Sequence, residues 1–209
     1  MPSPPTHPAA DHQAWLVDLD GTLYHPLPVK LAMAADLAVA GLRQARILQT
    51  FRSYHEKVRL LADESDAGRS PFRLQVELAA QELALHPDTV EALVWKWMVH
   101  RPGPWLRRFR RRALLAEIDR YHAAGGRTAL VSDYPAGEKL AAMGITELFD
   151  EVVASGEPGG PLRLKPHPEG FLRAADLLSV PPAACLVIGD RDDADGEAAR
   201  RAGMRFRKI

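Results

Sequence analysis

The sequence predicts an α/β fold, a parallel sheet flanked by helices, with an all-helical block inserted directly after the first strand. Three observations predict it. Short apolar runs recur, and several end in acidic or hydroxyl residues: Trp15-Leu16-Val17 before Asp18, Thr128–Val131 before Ser132, and Cys185–Ile188 before Gly189-Asp190. From Leu114 onward, strand-like and helix-like segments alternate, as parallel sheets require. Between Val29 and Arg112 the chain is rich in Ala, Leu, Arg, Glu and Gln at helical spacing.

Residues 1–13, carrying Pro2, Pro4, Pro5 and Pro8, read as a flexible arm outside the fold. Residues 14–28 and 113–209 are assigned to the sheet-containing core, and residues 29–112 to the helical insertion. Trp15 to Asp18 suits a strand covered on both faces. Gly21 to Pro28 suits a loop rather than an immediate helix. Within the insertion, Ser70-Pro71 is a good helix start, with Leu74, Leu78 and Leu85 able to share a face. Asp88 and Glu91 suggest a capping box for a helix carrying Leu93, Val94 and Trp97, which Pro102-Gly103-Pro104 ends. In the second part of the core, Leu114–Ala124 is an amphipathic helix stopped by Gly125-Gly126. Strands are expected at Thr128–Val131, Glu151–Ala154 and Cys185–Ile188, with an edge strand within Met204–Ile209. Helices are expected at Lys139–Met143, Pro168–Leu178 and Glu197–Ala202.

Composition narrows the function classes. The 209 residues carry a formal net charge of +0, which gives no general reason to expect nucleic acid or an anionic membrane as partner. The single cysteine, Cys185, excludes an intrachain disulfide and a cysteine-built zinc site. The longest apolar stretch, Leu31 to Leu42, is broken by Asp36 and too short for a bilayer. The N-terminus has no apolar signal core, so a cytoplasmic protein is expected.

The chemistry concentrates in Asp18-Leu19-Asp20-Gly21-Thr22-Leu23. Two carboxylates stand where a buried strand ends, and the carboxyl ends of parallel strands are where ligands bind. Burying both without a partner is costly, so the pattern calls for a cation. Ser132-Asp133 and Asp190 belong on the same rim, with Lys165 in a loop between two of the strands. The acidic run Asp190, Asp192, Asp193 and Asp195 lacks the spacing of an EF-hand.

These four segments, in this order, resemble the motifs of the haloacid dehalogenase-like hydrolase superfamily: Asp18 to Leu23, Leu130-Val131-Ser132, Lys165-Pro166, and Gly189-Asp190 with Asp195. The likeness covers Ala14 to Leu27 and Leu114 to the C-terminus. It implies a Rossmann-like core, with the insertion as a C1-type cap. It also implies a Mg²⁺-dependent phosphatase acting on a small phosphorylated metabolite through an aspartyl-phosphate. In that reading Asp18 is the nucleophile and a metal ligand, and Asp20 is the proton shuttle and gives its carbonyl to the metal. Ser132, Lys165 and the Asp133 backbone face the phosphate, Asp190 binds metal, and Asp195 lies near it. An acid at the position of Asp20 marks the phosphatases and phosphomutases, and the dehalogenases lack it.

A physical need stands behind this. Attack of a carboxylate on a phosphate brings two anions together, which repel by roughly 4 kcal/mol at about 4 Å and an effective dielectric of about 20. A hard cation, a lysine and hydroxyl donors offset that. The rival readings are a phosphomutase and a non-catalytic binding protein that kept the fold. Arg52, Arg59 and Arg73 are candidate contacts for the distal part of a substrate. The basic run Arg107, Arg108, Arg110, Arg111 and Arg112 reads as a solvated helix start, with attraction of an anionic substrate and contact with nucleic acid as the alternatives. Trp95 and Trp97 read as packing, and His167 receives no role.

Overall fold

The computed structural model describes residues 12–61 and 69–209, so most of the expected arm lies outside the described residues. His12 and Gln13 already belong to the fold. The His12 carbonyl accepts from the Tyr121 hydroxyl at 2.9 Å, and the Gln13 amide donates to the Ala184 carbonyl at 2.9 Å.

Five strands form one sheet: β1 (Ala14–Val17), β2 (Arg127–Ser132), β3 (Glu151–Ala154), β4 (Cys185–Gly189) and β5 (Arg205–Lys208). Their order is β3-β2-β1-β4-β5 and every pairing is parallel, a Rossmann-like arrangement. β1 is central and entirely buried, which is why it is apolar at every position. Val17 lies level with Leu130 and Ile188. That register puts Asp18 level with Val131 and Gly189, and carries Ser132 and Asp190 one residue further along the same rim. The chain therefore changes direction around β1 where the acids emerge, the usual place for a ligand crevice.

Each face of the sheet has its own helices. Trp15, Val17, Leu130 and Ile188 face α6 (Arg112–Ala123) and α7 (Gly137–Met143), with Leu115, Ile118, Leu140 and Met143 filling that side. Leu16, Val131, Val153 and Val187 face α8 (Glu169–Leu177) and α9 (Glu197–Arg201), with Phe171, Ala174 and Ala198. Burying each large apolar side chain contributes about 1.5–3 kcal/mol. The alternation of the strands is thus spent on two cores rather than on a core and a wet face.

The insertion begins with α1 (Pro26–Ala40), α2 (Leu42–Leu61), α3 (Pro71–Leu83) and α4 (Pro87–Val94). The last continues as a π-helical turn over Trp95–His100 before α5 (Gly103–Arg108). Ile47, Phe51, Phe72, Val76, Val90, Val94 and Trp97 form a third core, separate from the two beside the sheet. Val29 of α1 and Leu106 of α5 pack instead with the sheet cluster, so both ends of the insertion are anchored to it. No helix of the described residues is long and apolar enough to cross a membrane.

Several expectations need correcting. The loop expected over Gly21–Pro28 gives way to α1 at Pro26, because proline is tolerated in the first turn, where its missing N–H has no partner to lose. α3 does start at Pro71, but its buried face is Phe72, Gln75, Val76, Ala79 and Ala80, not Leu74 and Leu78. Gln75 can lie inward because its amide donates to the Phe51 carbonyl at 2.7 Å. α4 is capped by His86, whose ring nitrogen accepts from the Asp88 amide at 3.3 Å, so Asp88 is not the cap. The basic run is not uniformly solvated. Arg110 donates to the Met143 carbonyl at 2.8 Å and Arg111 to the Gly21 carbonyl at 3.3 Å, stitching the end of the insertion to the core.

Candidate active site

The rim gathers most of the residues the sequence singled out. Asp18 follows β1 and is buried, and its Oδ1 accepts from the Lys165 ammonium. Its Oδ2 accepts from the Thr22 hydroxyl at 2.7 Å, which the turn after Gly21 brings back four residues. Lys165 Nζ also reaches Asp195 Oδ1 at 2.8 Å and the Val131 carbonyl at 3.4 Å. Asp195 sits in a π-helical turn, Asp192–Gly196, and its Oδ2 accepts from the Arg191 amide at 3.2 Å. One ammonium thus serves two buried carboxylates. Asp192 and Asp193 remain outside, paired with Arg200 and Arg191 on the exposed side.

One oxygen from each of Asp18, Asp190 and Asp195 lies within 4.8 Å of the others. Two glycines permit this. A Cβ on Gly21, whose φ is +101°, would stand 2.3 Å from Asp190 Oδ2, and one on Gly189 would stand 2.5 Å from the Asp195 carboxyl carbon. The fit to a hard divalent cation is good: the donors are all oxygen, and each carboxylate keeps lone pairs beyond those already engaged. Gly21→Ala is therefore expected to displace Asp190 and strain the turn. It should lower stability by about 1–3 kcal/mol in denaturant unfolding and weaken divalent-cation binding in calorimetric titration. Wild-type values for both would contradict this account of the cluster.

The electrostatics are those of a site short of positive charge. Burial pushes Asp18 up, to about 7; Lys165 and Thr22 oppose this, while the charge on Asp195 adds to it. Burial and Asp195 also raise Asp190. Lys165 is held well above its ordinary value despite burial, because Asp18, Asp195 and Asp133 surround it.

Asp20 occupies different ground. Lys139 of α7 donates to both its oxygens, at 2.9 and 2.8 Å, and the Tyr24 hydroxyl donates at 2.8 Å. Burial pushes its carboxyl up, but Lys139 and Tyr24 outweigh burial and hold it below the usual range. Its side chain is 32% exposed, and that exposure is to a cavity of about 540 Å³ between insertion and rim. Lys139 is almost completely buried. Sequence reasoning placed it only at a helix start, although a lysine preceding Leu140 on a core-facing helix was a usable signal.

Ser132 ends β2 in a buried position, and its Oγ accepts from the Tyr134 amide at 3.2 Å. Asp133 points its carboxylate elsewhere, accepting from the Lys165 amide at 3.1 Å and lying 3.8 Å from His55 of α2. Of the arginines singled out in the helical insertion, Arg52 borders the cavity. Arg59 is paired with Glu56, and Arg73 with Glu77 and Glu91. Trp97 packs in the third core and also borders the cavity, and the His167 ring accepts from the Glu169 amide at the start of α8.

A family model for haloacid dehalogenase-like hydrolases matches residues 12–203. The chain belongs to that family. Among curated relatives, it is 28% identical over 206 residues to a phosphoglycolate phosphatase of Thiobacillus denitrificans, covering 91% of this chain and 80% of that protein. It is 46% identical over 67 residues to a glyceraldehyde 3-phosphate phosphatase of Methanopyrus kandleri. That match spans 32% of this chain and only 28% of the relative's length. Among solved structures, L-2-haloacid dehalogenase from Xanthobacter autotrophicus with covalently bound chloropropionic acid superposes with a TM-score of 0.62 at 21% identity. The match covers 95% of this chain and 77% of that one. A haloacid dehalogenase-type phosphatase from Thermococcus onnurineus gives 0.62 at 20% identity, covering 94% and 86%. At these identities the structural likeness is one of fold.

Proposed function

We propose that this family member is a Mg²⁺-dependent phosphatase that hydrolyses a small phosphorylated metabolite, with residues 29–112 acting as its cap. The observation that carries the reading is the placement of two acids from one turn: Asp18 among cation-seeking carboxylates, and Asp20 apart from them at the cavity floor. The curated relatives, all phosphatases by name, support the same class.

Asp18, Asp190 and Asp195 would hold the metal, with the Asp20 carbonyl beside them. Bound there, Mg²⁺ supplies the positive charge that offsets repulsion between carboxylate and phosphate. Asp18 attacks phosphorus and forms an aspartyl-phosphate, which water then hydrolyses. Thr22 and Lys165 fix the Asp18 carboxylate through its two oxygens, so that it meets the ester in one orientation. Lys165 stays protonated throughout, and Ser132 offers its hydroxyl to the phosphoryl oxygens. Asp133 holds the Lys165 backbone, and its own amide faces the phosphate.

Asp20 protonates the leaving alkoxide and then takes a proton from the attacking water. Before substrate arrives, Lys139 favours its ionised form. An arriving phosphate adds negative charge on the side where burial already favours the neutral acid, and so moves Asp20 toward the protonated form the first step needs. Its separation from the Asp18 cluster gives the two carboxylates different environments and therefore different duties.

The test is phosphate release from a broad panel of phosphoesters, with Mg²⁺ and again after chelation. Release that depends on the divalent cation is expected. A panel without turnover would favour a binding protein.

A further inference from the structure

We infer that the alcohol carried by the substrate phosphate is an apolar alkyl or aryl body rather than a short polyhydroxylated or carboxylated chain. The inference rests on the phosphatase reading of the rim and adds to it what lies on the other side of the ester bond.

The cavity of about 540 Å³ has Asp20 and Asp190 among its lining residues, so a phosphate held at the rim would direct its alcohol into it. That volume is within the range of about 300–1,000 Å³ typical of sites for drug-sized ligands, and is more than a two- or three-carbon chain needs. Much of the apolar lining comes from the cap. Val29, Met33 and Leu37 of α1, Leu48 of α2, and Trp97 and Met98 of the π-helical turn supply it. The indole nitrogen of Trp97 is buried, so the ring shows carbon to the cavity.

A hydroxylated alcohol would give up its water there and find few partners, because Tyr24 and Lys139, which also line the cavity, are engaged by Asp20, Tyr134 by His55 and Arg191 by Asp193, and an unpaired polar group is penalised on burial. An alkyl chain or ring would exchange water for methionine, leucine and indole surface, and methionines adapt to varied apolar shapes. The charged groups the cap gives the cavity, among the described residues, are the exposed Lys30 and Arg52. Their ammonium and guanidinium ends can stay in solvent while their stems line the mouth.

Alkylphosphonates separate this inference from catalysis, because they cannot be hydrolysed. Calorimetric titration of the whole protein with Mg²⁺ and ethyl-, butyl- and hexylphosphonate should show affinity rising about fourfold per methylene, the ~0.8 kcal/mol of a buried CH₂. The binding heat capacity should become more negative along the series. Leu37→Asp should flatten the series to less than twofold per methylene. Affinity that is flat along the series, or tighter for 5-carboxypentylphosphonate than for hexylphosphonate, would overturn the inference, the latter pointing to Arg52 and Lys30 as an anion site. Steady-state release from the matching alkyl phosphates adds a second axis. Turnover that favours glycerol phosphate over hexyl phosphate would overturn the apolar assignment and leave the phosphatase reading standing. Chain-length-dependent binding without any turnover would do the reverse.

Discussion

Asp18→Asn is expected to lower phosphate release by at least about 10⁴-fold, since no other carboxylate can form the acyl-phosphate from its position. Asp195 is turned toward Lys165 and the Arg191 amide, and Asp20 is held by Lys139 and Tyr24. The same substitution should stabilise the metal-free protein. Asp18 is raised to about 7 by burial and by Asp195, above the ~3.9 of an unfolded aspartate. A carboxyl raised on folding favours the native state fully below the unfolded value, and that advantage is lost as pH rises through the folded one. At pH 8 the wild type therefore bears the whole cost of an ionised Asp18, and the amide bears none. The gain for Asp18→Asn should be roughly 1–3 kcal/mol in chelator at pH 8 and smaller at pH 5.5. Saturating Mg²⁺ should reverse the order, because a ligand that binds the native state stabilises it and the amide has lost a donor. Denaturant unfolding at the two pH values, with chelator and with Mg²⁺, checks all three signs. Wild-type turnover in the variant would sink the assignment of Asp18, and a pH-independent gain would sink its electrostatic basis.

The core was legible because its strands are buried on both faces. Ala14–Val17 and Cys185–Gly189 are unbroken apolar runs for that reason, and Glu151–Ala154 stands where its spacing predicts. The approach of Asp18 to Asp190 follows once such strands are laid parallel, since each stands just beyond a strand end, whereas Asp195 is brought back to them by the helical turn Asp192–Gly196. Contacts made across the helices were less legible. Lys139 meets Asp20 from 119 residues away, and nothing in the spacing of either announces the other. The buried face of α3 was misjudged because its leucines are only partly covered, while a hydrogen bond allows Gln75 inside. Periodicity reports which residues are apolar, but not that a carbonyl of a neighbouring helix satisfies a buried glutamine. The cavity lies where the helical insertion meets the rim. Its lining comes from helices that read, one by one, as ordinary amphipathic segments.

Asp20→Asn is expected to divide substrates by leaving group. With alkyl phosphates the departing alkoxide is strongly basic, and losing a positioned acid should cost about 10²–10⁴-fold in kcat/KM. With p-nitrophenyl phosphate the phenolate leaves without help, so attack on the ester should fall far less, and a burst of p-nitrophenol should precede a slow steady state. The slow phase arises because the same residue deprotonates the water that clears the aspartyl-phosphate. Lys139→Met provides the complementary displacement. Lys139 is what overcomes burial at Asp20, so removing its ammonium should raise the Asp20 pKa. The alkaline limb of kcat/KM, where the acid form is lost, should then move to higher pH. A merely structural lysine would lower activity across the profile without moving that limb. Equal losses for both ester classes in Asp20→Asn would remove the proton from this carboxylate's account and leave it as a structural partner of Tyr24 and Lys139.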